Sequence, residues 1–299
     1  MSSATPIISE TYTTQGFWRF IALRQIALIR KVAGVGVLTA DPIIRTEKFC
    51  NIDREDDKST IDLRRVVWNN QSIPLKDKFL YSMIFRFCVS SSTILDIIEQ
   101  NPNVSPTVLV EQMTSPEFRF KWRKSVPYHL PLISKSLRTK DGVCADNLKW
   151  IITKIHAHHD AFWDELTSDT NQSHEELTTR LTNYSKPYLS KGFKFYIAQA
   201  LLDLMYHSEY IDPAKHVHLG IGCLKGIKRI VERMHLEQPM SPFEYIEHLN
   251  ANVSARVSTL FPRGINPAVL EHGLCEYTKY CEYLDGTRER KYLYSPKVK

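Results

Sequence analysis

Two arginines interrupt the apolar stripe of GFWRFIALRQIALIRKVA, residues 16–33. Three and four positions from Arg24 stand Phe20, Ile21, Ala27 and Leu28; around Arg30 stand Ile26, Ala27, Ala33 and Gly34. Neighbours at those separations share a helix face, so both guanidinium groups are expected on the face that seeks the core. A buried guanidinium must be paired or must hold an anion. Two readings stay open: a structural salt bridge, or an anion pocket, since arginine's planar fork suits phosphate. The next stretch, DPIIRTEKFCNIDREDDKST (41–60), packs Asp41, Arg45, Asn51, Asp53, Arg54, Glu55, Asp56 and Asp57 around Phe49 and Ile52. Such a run is ordinarily a solvated turn. Carboxylates beside arginines also supply a base, and a cation for an anionic leaving group.

A third stretch, HLGIGCLKGIKRI (218–230), sets Gly220 and Gly222 before a basic helix carrying Lys225, Lys228 and Arg229. Bare amides at a helix start bind anions, and glycine admits a bulky one. A tight turn is the plain alternative. Other constellations are weaker. HAHHD (156–160) puts His156, His159 and Asp160 on one helix face, and His272, Cys275 and Cys281 lie on or after another. The first lacks the glutamate base of a His-Glu-x-x-His motif and reads as a polar helix face; the second reads as packing, and no metal is expected at either. Cys223 follows the glycine turn with no base beside it, a poor case for a nucleophile. No Walker-type phosphate loop occurs, so the chain is not itself read as a kinase.

These groups need elements to hold them. The 299 residues are 43% hydrophobic, enough for a sizeable core, and the net charge of +6 permits a polyanionic partner. Basic residues cluster around 186–194, 225–233 and 286–299. The six cysteines form no Cys-x-x-Cys pair and read as reduced thiols. No apolar run approaches the ~20 residues that span a bilayer, and the N-terminus lacks signal-peptide features. The expectation is an intracellular protein with no membrane contact. Helical periodicity covers 16–33, 75–90, 105–113, 145–166, 192–207, 223–235, 241–258 and 266–283, with starts at Asp146, Ser241-Pro242 and Asn266-Pro267. The one strand-like stretch is RKYLYS (290–295). The fold class is therefore all-α. Residues 1–15 read as a flexible arm and 16–299 as a single helical domain, or as two lobes with a seam near 168–185.

Taken together, four motifs carry a resemblance. LRQIALIRKVAG with DPIIRTEKFCNIDREDD, GFKFYIAQALLDL (192–204), HLGIGCLKGIKRI and LEHGLCEYTKY (270–280) occur in one order across about 16–293. The chain resembles the alpha-glutamyl/putrescinyl thymine pyrophosphorylase family, also described as the helical domain of 5-hydroxymethyluracil DNA kinases. It departs from the family pattern at Ala198, where an aromatic is usual, at Ile221 for a proline, and at Thr278 for an Asp.

The resemblance implies a helical DNA-glycosylase-like bundle with a helix-hairpin-helix-type turn near 220–230. It also implies a transferase that attaches an amine to an activated 5-hydroxymethyl pyrimidine in DNA, with loss of pyrophosphate. DNA, an amine co-substrate (an amino acid or polyamine) and a 5-hydroxymethyluracil DNA kinase are the implied partners; no cofactor is expected. Arg24, Arg30 and Arg54 would steady the leaving group, and Glu55, Asp56, Glu271 and Glu276 are the candidate bases. Gly220, Gly222, Lys225, Lys228 and Arg229 would grip a DNA phosphate. Phe49, Asn51, Tyr196, Gln199 and Tyr277, with Trp18, are candidates to line a base pocket, although aromatics at helical spacing are ordinarily core. A non-catalytic helical DNA-binding module is the rival reading. A base-excising glycosylase is disfavoured, because no Asp lies between Asp212 and Asp285.

Overall fold

Thr13 accepts the amide hydrogen of Gly16 and starts the first helix; Gly34, at φ 72°, ends it. The amides of Gly34 and Val35 return to the carbonyls of Lys31 and Arg30, the paired closure that a left-handed residue permits. Such local signals recur along the computed structural model, which describes residues 12–87, 91–113, 115, 159–169, 172–185, 193–234 and 240–288. In order, the α-helices are α1 (Thr14–Val32), α2 (Pro42–Thr46), α3 (Lys58–Leu63), α4 (Leu75–Phe87), α5 (Ser91–Gln100), α6 (Pro106–Met113) and α7 (His159–Thr167). They continue with α8 (His174–Ser185), α9 (Phe193–His207), α10 (Ile221–Met234), α11 (Pro242–Ala251), α12 (Ala255–Ser258) and α13 (Pro267–Leu284). A 3-10 turn covers Arg54–Asp56, and a π-helical turn, Arg64–Trp68, extends α3. Among the described residues there is no strand, only an isolated bridge between Gln172 and Ile211. The all-α expectation holds. No helix among the described residues is long and apolar enough to cross a membrane.

The helix expected at 241–258 is two helices. Ser241 opens α11 with a capping box to Glu244, and Ser254 caps the short α12. Asn266 caps α13 ahead of Pro267, as the sequence predicts. The helix-hairpin-helix-type turn is not shown: residues 221–234 are one continuous helix. The RKYLYS stretch, Asp146 and His156 lie outside the described residues.

The chain divides into two compact units, Met1–Asp57 with Leu219–Lys299, and Lys58–His218. In the first, α13 packs against α10, α11, α1 and α2. Glycine allows the closest approaches. A Cβ on Gly226 would meet the Leu274 carbonyl at 2.7 Å, and one on Gly273 would meet Ile21 at 2.5 Å. One on Gly222 would collide with the Cys275 sulfur. The glycines at the start of α10 therefore have a packing role of their own. Tyr277 fills the core between Phe17 and Phe20, with ring centroids 5.6 Å from each.

In the second unit α9 packs on α4 and α8. A buried pair of Arg86 with Asp203 crosses this core, and Arg86 also donates to Thr60 at 3.0 Å. His174 accepts the His218 amide hydrogen at Nδ1, 2.9 Å, so its Nε2 bears the hydrogen and donates to the Ala198 carbonyl at 2.8 Å.

Candidate functional site

The first unit contains a pocket of about 170 Å³ between α1 and the segment that follows α2. From α1 it is lined by Arg24, Leu28 and Lys31, which share a face at spacings of four and three. From the other side come Arg45, Glu47, Lys48, Phe49 and Asn51. Four cations face one carboxylate, a local excess of positive charge. Arg24 is fixed: its Nη2 donates to the Cys50 carbonyl at 3.0 Å, and its guanidinium carbon lies 5.4 Å from the Phe49 centroid. Arg45 and Lys48 form no ion pair among the described residues and are exposed. A small basic recess with one pre-set guanidinium and two exposed cations suits a phosphate-sized anion.

Beyond Phe49 the chain fans out. The Cys50 amide donates to Glu276 Oε2 at 3.0 Å. Asn51 donates from Nδ2 to the Asp56 carbonyl at 2.8 Å. Asp53 is buried and caps the 3-10 turn through the Glu55 amide, 2.9 Å. Its other oxygen receives Arg263 at 2.6 Å, and the same guanidinium binds Asp56. Burial works against the Arg263 charge, but the hydrogen bonds it donates to Asp56 and Asp53, and their negative charge, outweigh it and raise the pKa. The acidic run is therefore an anchored turn, not a solvated one. Arg54 and Glu55 are buried in that turn and do not line the pocket.

A larger pocket, about 480 Å³, lies along the preceding turns of α1 and is lined by Arg19, Phe20, Leu23, Asp41, Ile43 and Tyr280, among others. Tyr280 donates to Asp41 Oδ2 at 2.8 Å, and burial together with that carboxylate pushes the Tyr280 hydroxyl pKa up. Aromatic rings divide the two pockets. Phe20 and Tyr280 line the larger and Phe49 the smaller, with Phe49 centroids 5.6 Å from Phe20 and 6.5 Å from Tyr280.

The glycine-framed helix end is already engaged. The Gly220 amide donates to Glu271 Oε1 at 3.0 Å. Thr278 donates to the Gly222 carbonyl at 2.7 Å and so ties α13 to α10. Lys228 pairs with Glu232 at 3.6 Å and Arg229 with Asp285 at 2.9 Å; Lys225 is exposed.

Of the expected site residues, the structure brings Arg24, Phe49 and Asn51 together at one pocket. Arg30 is a correction: it is exposed and donates to the Leu38 carbonyl at 3.4 Å, because the chain turns at Gly34 and leaves the last turn of α1 in solvent. Glu276 is buried and pairs with Lys279 at 2.5 Å. Tyr277 is core. Tyr196 and Gln199 belong to the second unit, on α9, where Tyr196 is buried. Sequence reasoning missed Lys31, Glu47 and Lys48. The helical spacing of Lys31 from Arg24 was the available signal.

With this geometry in view, the family described as "5-hmdU DNA kinase, helical domain" matches residues 11–119 and 137–287. No curated protein and no solved structure matches the chain.

Proposed function

We propose, for a chain that belongs to the 5-hmdU DNA kinase helical-domain family, that it acts in thymine modification as a transferase on an activated 5-hydroxymethyl pyrimidine in DNA. The observation that carries this is the basic recess around Arg24, separated by aromatic rings from a larger pocket that holds a carboxylate. The recess fits a pyrophosphate leaving group. The larger pocket has room for a pyrimidine or an amine, with Asp41 to attract the cationic amine. In the reaction the ammonium first loses a proton, and the lone pair of the resulting neutral amine attacks the 5-methylene carbon. The carbon–oxygen bond breaks and its electron pair leaves on pyrophosphate, steadied by Arg24, Arg45 and Lys48. The proton lost by the ammonium passes to a carboxylate, for which Glu47, a lining residue of the recess, is the candidate; Glu55 is buried away from the recess and Asp56 holds Arg263. Orientation and charge stabilisation supply most of the rate. Lys225, Lys228 and Arg229 on α10 are proposed to face DNA; Gly220 and Gly222, closed off by Glu271 and Cys275, serve the packing of α10 on α13 and not the grip on a phosphate.

The direct test is mass spectrometry of an oligonucleotide carrying a pyrophosphorylated 5-hydroxymethyluracil, incubated with the protein and an amine. The reading expects the mass of the amine adduct and release of one pyrophosphate per adduct. An unchanged oligonucleotide, with binding retained, selects the second reading: a non-catalytic helical module that serves a 5-hydroxymethyluracil DNA kinase. Thr278 favours that module, since it spends its hydroxyl on packing where the family pattern has an acid.

A further inference from the structure

Cys50, His272 and Glu276 present a sulfur, an imidazole nitrogen and a carboxylate oxygen within 4.8 Å of one another. His272 and Glu276 lie one turn apart on α13, with Nε2 and Oε1 separated by 4.0 Å. Cys50 stands between Phe49 and Asn51, which line the basic recess, and its own amide donates to the second oxygen of Glu276 at 3.0 Å. That bond fixes the thiol and the carboxylate in register, although they are 226 residues apart in sequence.

We propose that these three side chains bind a zinc-class divalent cation, with a water in the fourth position. Tetrahedral zinc, with bonds of about 2.0–2.3 Å, sets its ligand atoms roughly 3.3–3.6 Å apart. The present separations, all within 4.8 Å, must close by about 1 Å to reach that spacing, a shift on the scale of side-chain adjustment. Thiolate, imidazole and carboxylate form a borderline-soft set that favours zinc over magnesium or calcium. The site is reachable: His272 and Lys279 side chains are 20% and 22% exposed. Lys279 is the built-in competitor. Its Nζ lies 2.5 Å from Glu276 Oε1, and its ammonium compensates the carboxylate that the cation would otherwise hold. Metal and ammonium exclude each other, and the four-carbon stem of Lys279 lets it swing out. The flanking residues Phe49 and Asn51 line the recess, so the bound ion would fasten that wall to α13. None of this depends on the transferase reading.

The test uses the full chain, stripped with chelator, then titrated with zinc against a chromophoric competitor and separately loaded with cobalt(II). The proposal expects one equivalent bound and a thiolate-to-cobalt charge-transfer band in the near ultraviolet. Cys50→Ser and His272→Gln should each weaken zinc at least tenfold, and Cys50→Ser should remove the band. Lys279→Met should tighten zinc about tenfold by deleting the competing ammonium; circular dichroism of the stripped variants verifies folding. Absence of stoichiometric zinc binding in both the wild type and Lys279→Met overturns the site. So does a cobalt band that survives Cys50→Ser, which would move the thiolate to another cysteine.

Discussion

The guanidinium of Arg24 lies over the Phe49 ring, 5.4 Å from its centroid, while its Nη2 bonds the next carbonyl at 3.0 Å. One side chain thus joins α1 to the turn that follows α2 and sets a cation in the recess between them. Replacing it should affect both roles. Arg24→Ala is expected to cost about 1–2 kcal/mol from the lost cation–π contact and hydrogen bonds. It should also weaken inorganic pyrophosphate about tenfold or more. Arg45→Gln, at an exposed position, should weaken pyrophosphate severalfold and change stability by less than ~0.5 kcal/mol. Calorimetric titration and thermal melts separate the two effects.

Arg263 holds the buried Asp53 and, beside it, Asp56. Arg263→Ala leaves a buried carboxylate without this partner and is expected to destabilise by about 2–4 kcal/mol. Adding Asp53→Asn should recover part of that loss, because the neutral amide needs no counter-charge. Denaturant unfolding of the single and double variants measures the coupling.

Gly226→Ala is expected to cost about 1–3 kcal/mol, since the new methyl meets the backbone carbonyl of Leu274, which cannot step aside. Gly220→Ala meets only the movable Glu271 carboxylate, at 3.0 Å, and should cost less than half as much. Thermal melts of the two variants give the order directly.

Tyr245 fixes a pH dependence. Burial pushes its pKa from 10.0 up to about 12, against a smaller opposing effect of the Thr14 hydroxyl, 3.0 Å away. The folded state therefore keeps the proton where the unfolded chain gives it up. Its contribution is full below pH 10.0 and is lost as pH rises toward about 12. The stability gap between wild type and Tyr245→Phe should shift against the wild type over that range. Phenolate absorbance near ~295 nm, taken as the difference between the two proteins, should rise only near the upper end.

Much of the helical layout was legible because caps and periodicity are local. Ser241-Pro242, Asn266-Pro267 and the apolar stripe of α1 each state their outcome within a few residues. The short α2 and α3 were not legible, being too brief to show a period, and the longer α5 and α8 were missed as well; α8 is largely polar, with Leu177 and Leu181 as its buried apolar side chains. Arg24 could be read as a buried-side arginine from its neighbours. Arg30, six residues on, could not be told from it, because its exposure depends on where the chain goes after Gly34. The glycines at 220 and 222 suggested an anion site from local pattern alone. Contact with Cys275 and Glu271, some fifty residues later, gives them their packing environment. Likewise nothing near Cys50 in sequence announces His272 and Glu276.

The central claim is that the Arg24 recess receives the anionic leaving group of an activated base in DNA. The most direct measurement compares binding of two oligonucleotides that differ only at one 5-hydroxymethyluracil, free or pyrophosphorylated, at fixed salt. The account predicts at least tenfold tighter binding of the pyrophosphorylated strand, with most of that gain lost in the paired Arg45→Gln, Lys48→Gln variant. Equal affinity for the two strands, or a preference unchanged in that variant, would contradict it.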